Sequence, residues 1–298
     1  MKVNYKKLNI AIIGVGKVGS AFANELILKG YNVKYLVETN PGFLKKISRK
    51  LKIRYYSTSV NKDIISDSQI IIISVQDSRI PGLLKSFRNI DLRNKYIFHT
   101  SGYYNSEIFT KLRIEKNKIG SFHPLQTFND VSLNNQNLLK NIYFGIQGGI
   151  LLKKLLIYLS KSLRSKYILI NEKDKPLYHF ACVFASNFLV SYMSILNKII
   201  SSTNIKPVKS IEIFYPIIEK TLSNIKENGL INALTGPFSR GDINVIKGHL
   251  NSLSKNYSEL IPIYQILGKE AINLSESKNM KLSRELKILR KFINSLIN

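Results

Sequence analysis

A short apolar run, LNIAII, ends in GVGKVGS, and this junction restricts the fold more than any other stretch of the chain. Gly14, Gly16 and Gly19 stand in G-x-G-x-x-G spacing, after a strand pattern and at the opening of a helical one. Each glycine has its own task. Gly14 permits a tight turn, Gly16 lets the backbone approach a pyrophosphate, and Gly19 allows close helix–strand packing. The N-terminus of the helix adds free N–H groups and partial positive charge. With Lys17 and Val18 between them, these residues predict a dinucleotide-binding loop.

The next strand ends at Val37 and Glu38 follows, 19 residues beyond Gly19. An acid there can accept hydrogen bonds from the adenosine ribose hydroxyls and repel a 2′-phosphate, which favours NAD over NADP. Lys45, Lys46 and Arg49 on the following helix could reach a phosphate and argue the other way. A solvated loop acid is the plainer reading of Glu38.

To about residue 125 apolar runs alternate with helical patterns. LNIAIIG, YNVKYLV, QIIIISV, KYIFHT and NKIGSF read as strands, and VGSAFANELILKG and SRIPGLLKSF as helices. QIIIISV is continuously apolar, as a strand covered on both faces of a parallel sheet must be. The pattern predicts a doubly wound α/β domain, to which YFGIQG and KYILIN add two strands. After about residue 171 only helical segments follow, at 176–203, 207–233, 243–254, 257–277 and 281–297. The last carries Leu282, Leu286, Leu289, Ile293 and Leu296 as a packing stripe. The expected division is 1–170, dinucleotide-binding, and 171–298, all-α, serving substrate binding and dimerisation.

Ligands of open α/β sheets lie beyond the carboxyl ends of the strands. The loops SVQDS, HTSG and HPLQTF end there, placing Val75, Gln76, Thr100 and Ser101 along the cofactor, while His99 packs or caps its strand end. His123 precedes Pro124, which holds it extended. It could be a packed residue, a ligand or a group that handles a proton. His179, Val183, Ser186 and Asn187 share one face of a continuous helix, either satisfied internally or lining a cleft. Arg240, in LTGPFSRGD, could clamp a carboxylate through its planar fork or pair with Asp242. The four histidines are too widely spaced for a metal motif.

The net charge of +26 arises from 45 basic against 19 acidic residues scattered along the whole chain. No basic block is interleaved with aromatics, so a specific nucleic-acid partner is not expected. The single cysteine, Cys182, excludes an intrachain disulfide and suits a reducing cytosol. The N-terminal apolar run is short and meets the glycine turn, unlike a signal sequence. Residues 176–197 carry no formal charge and are long enough to span a bilayer. His179, Ser186, Asn187 and further polar residues would be costly in lipid. A helix buried in a core or a homodimer interface is expected instead, in a cytoplasmic protein with no membrane partner.

Taken together, GVGKVGS, HTSG, GSFHPLQTF, YHFACVFASNF, TLSNI and ALTGPFSRGD resemble, in order and spacing, the two-domain family with a Rossmann-like N-terminal domain and a helical domain of unknown function 2520. The resemblance runs nearly end to end. It implies kinship with the 6-phosphogluconate-dehydrogenase-like oxidoreductases, near pyrroline-5-carboxylate reductase, and with an alternative type of ketopantoate reductase. It therefore implies NAD or NADP as cofactor and a small keto-carboxylate as substrate, with ketopantoate the best single choice. His123 matches a strand-end His-Pro motif of prephenate dehydrogenases, where the histidine contacts the substrate hydroxyl. The catalytic group expected is His123, His179, Asn187 and Arg240: one histidine donates the proton, His123 by a narrow preference, the other orients the substrate, and Arg240 holds the carboxylate. The common ketopantoate reductases place an asparagine four residues after a helical lysine; here Lys175 is followed by His179. Reduction of a cyclic imine and non-catalytic sensing of a dinucleotide are the alternatives.

Overall fold

The computed structural model describes residues 4–130, 137–203, 205, 210–278 and 284–295. The chain opens as β1 (Ile10–Ile13), α1 (Lys17–Leu28), β2 (Val33–Val37), α2 (Pro41–Leu51), β3 (Tyr55–Ser57), α3 (Lys62–Asp67), β4 (Ile70–Ile73), α4 (Ile80–Lys85), β5 (Tyr96–His99) and β6 (Ile119–Leu125). Next come β7 (Tyr143–Gly148), α5 (Ile150–Ser162) and β8 (Lys166–Leu169). The rest is helical: α6 (Lys175–Ala185), α7 (Asn187–Ser201), α8 (Ser210–Ala233), α9 (Pro237–Arg240), α10 (Ile243–Asn256), α11 (Ile261–Lys278) and α12 (Arg284–Ser295).

The eight strands form one sheet in the order β3-β2-β1-β4-β5-β6-β7-β8. β1 to β6 pair in parallel, β6 meets β7 antiparallel, and β8 runs parallel to β7. This is the expected α/β architecture followed by helices. The four isoleucines of β4 show why the central strands carry no polar alternation. Ile70 and Ile72 join the layer of Phe22, Leu26, Phe98 and Phe122, whereas Ile71 and Ile73 join that of Ile65, Ile80, Ile97 and Ile119. Both faces are covered, so both parities must be apolar.

β3 has no counterpart among the runs read as strands. Its Tyr55 and Tyr56 are exposed, so an edge strand of three residues leaves no burial pattern in the sequence.

Contacts divide the chain into two units, Met1–Ser191 and Tyr192–Asn298. The division therefore falls after Ser191 rather than after residue 170, because α6 is tied to the first unit's sheet. The Lys175 ammonium donates to the Ser101 carbonyl at 2.9 Å and the Ser121 hydroxyl at 3.0 Å.

The single helix expected over 176–203 is two helices. Ser186 leaves the helical region at φ −122°, ψ −67°, and its hydroxyl bonds back to the Cys182 carbonyl at 2.8 Å. Back-bonding of this kind competes with the helical ladder and bends helices. Nor is the segment a core helix: α6 buries only Lys175 and α7 buries no residue. The stretch Glu172–Ser201 is long and apolar enough to cross a membrane by length and composition alone. Its pieces of 11 and 15 residues each fall short of the ~20 needed for a span.

The second unit has its own core of Ile246, Leu250, Ile272, Leu289 and Ile293. Leu286, Leu289 and Ile293 form the buried stripe expected of α12; Leu282 and Leu296 lie outside the described residues.

Candidate active site

The geometry of the glycine loop suits the three tasks read from its spacing. Gly14 has φ +85°, and a Cβ there would lie 2.7 Å from the Ser74 carbonyl oxygen and from Val75 Cγ1. A Cβ on Gly19 would overlap the Gly14 carbonyl, so α1 packs on the loop only with glycine at that position. Gly16 differs: a Cβ would meet nothing within 4 Å, because the residue faces an open cleft. No side chain caps the N-terminus of α1 at Gly16. Its N–H groups are thus left to an anion, as a pyrophosphate requires.

That cleft, of about 1040 Å³, runs along the carboxyl ends of the parallel strands. Gly14, Gly16, Lys17, Val18, Glu38, Val75, Gln76, Thr100 and Ser101 all line it, together with His123 and His179. Glu38 marks one end. Its carboxylate accepts from the Val15 N–H at 3.2 Å and the Thr39 hydroxyl at 3.1 Å, joining the end of β2 to the glycine loop. Thr39, Thr58 and Ser59 lie beside it, and the latter two follow β3, the strand with no sequence signal. Glu38 is therefore a cleft residue tied to the glycine loop rather than a solvated loop acid. The residues present fit a nicotinamide dinucleotide, which Gly14–Gly19 would hold at the phosphates and Glu38 at the adenosine ribose.

Four strand steps away in sheet order, roughly 19 Å at ~4.8 Å per step, stands β6. His123 lies within this strand rather than on a loop after it, paired with Gly145 of β7. Pro124 is tolerated there because β5 pairs only as far as Ser121, so no neighbour on that side lacks its N–H. His123 and His179 approach each other across Gly102, their ring centroids 6.3 Å apart. A Cβ on Gly102 would lie 2.6 Å from His179 Cδ2 and 3.0 Å from His123 Nε2. Glycine at this position is what lets the two imidazoles meet.

His123 is largely buried beside two other basic side chains. Burial, the Lys175 cation and His179 push it down to about 3, so at neutral pH it is an uncharged imidazole. Its Nδ1 lies 2.7 Å from the Tyr178 hydroxyl. His99 is the packing residue expected at its strand end, stacked on Phe109 with centroids 5.6 Å apart. Burial and Lys175 drive it too down to about 3.

Lys175 is the functional candidate that sequence reasoning passed over. The side chain is fully buried, yet both hydrogen-bond partners are uncharged. Burial pushes the ammonium down to about 8, opposed by the Asp77 carboxylate. Asp77 in turn accepts from the Ser101 hydroxyl at 2.7 Å, so the loop after β5 links a cleft acid to a buried cation. The Lys175–His179 spacing was visible in the sequence; the burial was not.

Two further residues expected at the site have side-chain partners next to them in sequence. Asn187 begins α7 beyond the break at Ser186, where its side-chain oxygen accepts from the Ser186 hydroxyl at 3.0 Å. The face His179–Asn187 is consequently not one helix face. Arg240 belongs to the second unit and pairs with Asp242, Nε to carboxylate 3.0 Å, the alternative that its sequence neighbourhood offered. Among the described residues, no group of three or more His, Cys, Asp or Glu is placed to hold a metal.

Residues 9–100 match the family model described as "NADP oxidoreductase coenzyme F420-dependent". Fold, cleft and match define the class: an NAD(P)-dependent oxidoreductase. Residues 142–271 match the model described as "Domain of unknown function (DUF2520)", and the resemblance read from the motifs is confirmed in both halves of the chain. No curated protein matches. Among solved structures, a Thermotoga maritima protein is 22% identical with a TM-score of 0.72, covering 90% of this chain and 99% of that one. A Bacteroides fragilis protein, provisionally described as an NADP oxidoreductase, is 22% identical with a TM-score of 0.64, covering 93% and 100%. The 1-pyrroline-5-carboxylate reductase of Streptococcus pyogenes is 17% identical with a TM-score of 0.58, covering 91% and 98%. At such identities the likeness is one of fold.

Proposed function

We propose that this chain reduces a small carboxylate bearing a ketone, with ketopantoate the best single substrate. One observation carries the reading: His123 and His179 converge over Gly102 at the β6 end of the cleft, where Lys175 is buried with only uncharged hydrogen-bond partners. A carbonyl that receives a hydride develops negative charge on oxygen, which a hydrogen-bond donor and a positive potential stabilise until a proton from cleft water completes the alcohol. A nicotinamide held in this cleft would supply the hydride. His123 offers a ring N–H from a neutral imidazole, and Lys175 supplies the potential without leaving its two hydrogen bonds. His179, carried by α6, orients the substrate on the opposite side of Gly102. The same cation favours an anionic substrate. Asn187 and Arg240, engaged with Ser186 and Asp242, take no part in this reading.

The test is a screen of the purified chain for oxidation of NADH and NADPH against 2-oxo acids, ketopantoate included, and cyclic imino acids. Turnover of ketopantoate that falls roughly a hundredfold in His123→Asn, the size of a lost oxyanion donor, supports the proposal. The fold shared with the S. pyogenes reductase makes a cyclic imine the second candidate. Turnover of the imine alone replaces the substrate. Tight dinucleotide binding with no turnover across the panel turns the reading to a sensor.

A further inference from the structure

The hydrogen bond between Tyr178 and His123 has a chemical consequence for the site. His123 lines the cleft and Tyr178 does not, so the phenol meets the imidazole from outside the cleft. The rings stand at 88° with centroids 5.6 Å apart, an edge-on approach that aims the hydroxyl at Nδ1, 2.7 Å away. The site is built for this contact. The phenol lies over Gly145, the cross-strand partner of His123, where a Cβ would come within 2.5 Å of the hydroxyl oxygen. The Lys175 ammonium stands 5.9 Å from the ring centroid.

A neutral imidazole carries one proton, and which nitrogen holds it is set by the bond that the other makes. Two arrangements are open to the pair: phenol donating to Nδ1, or Nδ1–H donating to the phenol oxygen. In the second, the phenol proton must go elsewhere, and the side chain beside it is Cys182. Thiol sulfur is a weak acceptor, whereas an imidazole nitrogen is a strong one. The first arrangement wins.

We propose that Tyr178 is a positioning residue: its hydroxyl donates to Nδ1 of His123 and so fixes the imidazole proton on Nε2, at the edge beside Gly102. Resting on the reading of His123 as hydrogen-bond donor, this explains how a histidine that stays neutral at neutral pH serves a carbonyl oxygen. The donor is the Nε2–H, present at every pH at which the ring is neutral, and not an imidazolium.

The experiment is a long-range proton–nitrogen correlation spectrum of the full chain labelled at histidine nitrogens, at pH 7.5. The His123 signals are assigned as those missing from His123→Asn. Expected in the wild type is an unprotonated Nδ1 and a protonated Nε2. In Tyr178→Phe the two nitrogens should shift toward each other as the tautomers mix, with the melting temperature a check that the variant is folded. A wild-type His123 carrying its proton on Nδ1 overturns the proposal whether or not the variant folds. An unchanged tautomer in a folded Tyr178→Phe overturns it as well. Neither readout needs turnover, so failure of the substrate screen leaves this test intact. With a substrate in hand, Tyr178→Phe should lower kcat about five- to tenfold, the scale of one neutral hydrogen bond, with KM unchanged.

Discussion

Single side chains in this protein act through charge that is either withheld or left unpaired. Glu38 accepts from the Val15 N–H and lines the β2 end of the cleft, where the adenosine ribose of a bound dinucleotide would lie. NADH is therefore expected to bind at least as tightly as NADPH, when dissociation constants are compared at one salt concentration, since phosphate contacts are screened. A tenfold preference for NADPH, about 1.4 kcal/mol, would remove the argument and direct attention to Lys17 and Arg79, which also line the cleft. Lys175 is charged below about pH 8. Reductive turnover is expected to decline as pH rises through that value, and Lys175→Met should give a lower, flat profile. A wild-type rate independent of pH from 7 to 9 contradicts the assigned role.

His99 and His123 have the opposite consequence, for stability. Both are pushed to about 3 in the folded chain, against an ordinary value near 6.5. Between these values the unfolded chain binds more protons, so stability is complete above about pH 6.5 and falls as pH drops toward 3. The loss from pH 7 to pH 5 is about 2 kcal/mol per histidine. Urea midpoints at the two pH values check this. The pH sensitivity should be smaller in His99→Gln, and equal sensitivity would show that His99 is not held neutral.

At the scale of elements, the decisive feature is the reversal from parallel β5–β6 to antiparallel β6–β7. Pairing places Gly120 opposite Gly148 and His123 opposite Gly145. A Cβ on Gly120 would overlap the Gln147 carbonyl and come within 2.7 Å of Gly148 Cα. Both are backbone and cannot turn aside. Gly120→Ala is expected to destabilise the chain by about 2–3 kcal/mol, read from urea unfolding; a loss below 0.5 kcal/mol would mean that β6 and β7 separate easily. The register set here brings His123 to the cleft and leaves room at Gly145 for Tyr178. Legibility differed sharply among elements. β1, β4 and the stripe of α12 were plain in the sequence because burial repeats along them. β3 was silent because its tyrosines face outward, and the break at Ser186 because serine back-bonding leaves the apolar spacing untouched.

For the whole molecule, the surface of α6 and α7 is the outstanding feature. Leu177 and Val190 are each 72% exposed, and Phe180, Phe184, Phe188 and Leu189 are exposed with them. Isolated apolar residues on a surface are ordinary, but a continuous set on adjoining helices marks an interaction surface. The homodimer remains our proposal for what covers it. Light scattering at micromolar concentration is expected to give twice the chain mass, and Phe184→Glu to give the monomer. A wild-type monomer at that concentration removes the idea.

The sequence by itself determined the elements whose cause is local: the glycine loop, the doubly covered strands, Glu38 at the end of β2, and His123 held extended before Pro124. Each follows from sterics or burial over a few residues, which sequence spacing records directly. Tertiary structure alone decided the protonation and partners of the site. Lys175 meets Ser101 and Ser121 across 74 and 54 residues of chain, and Tyr178 meets His123 across 55. Spacing carries no record of such distant pairs. Burial, which sets the charge on each of these groups, exists only once α6 lies on the sheet.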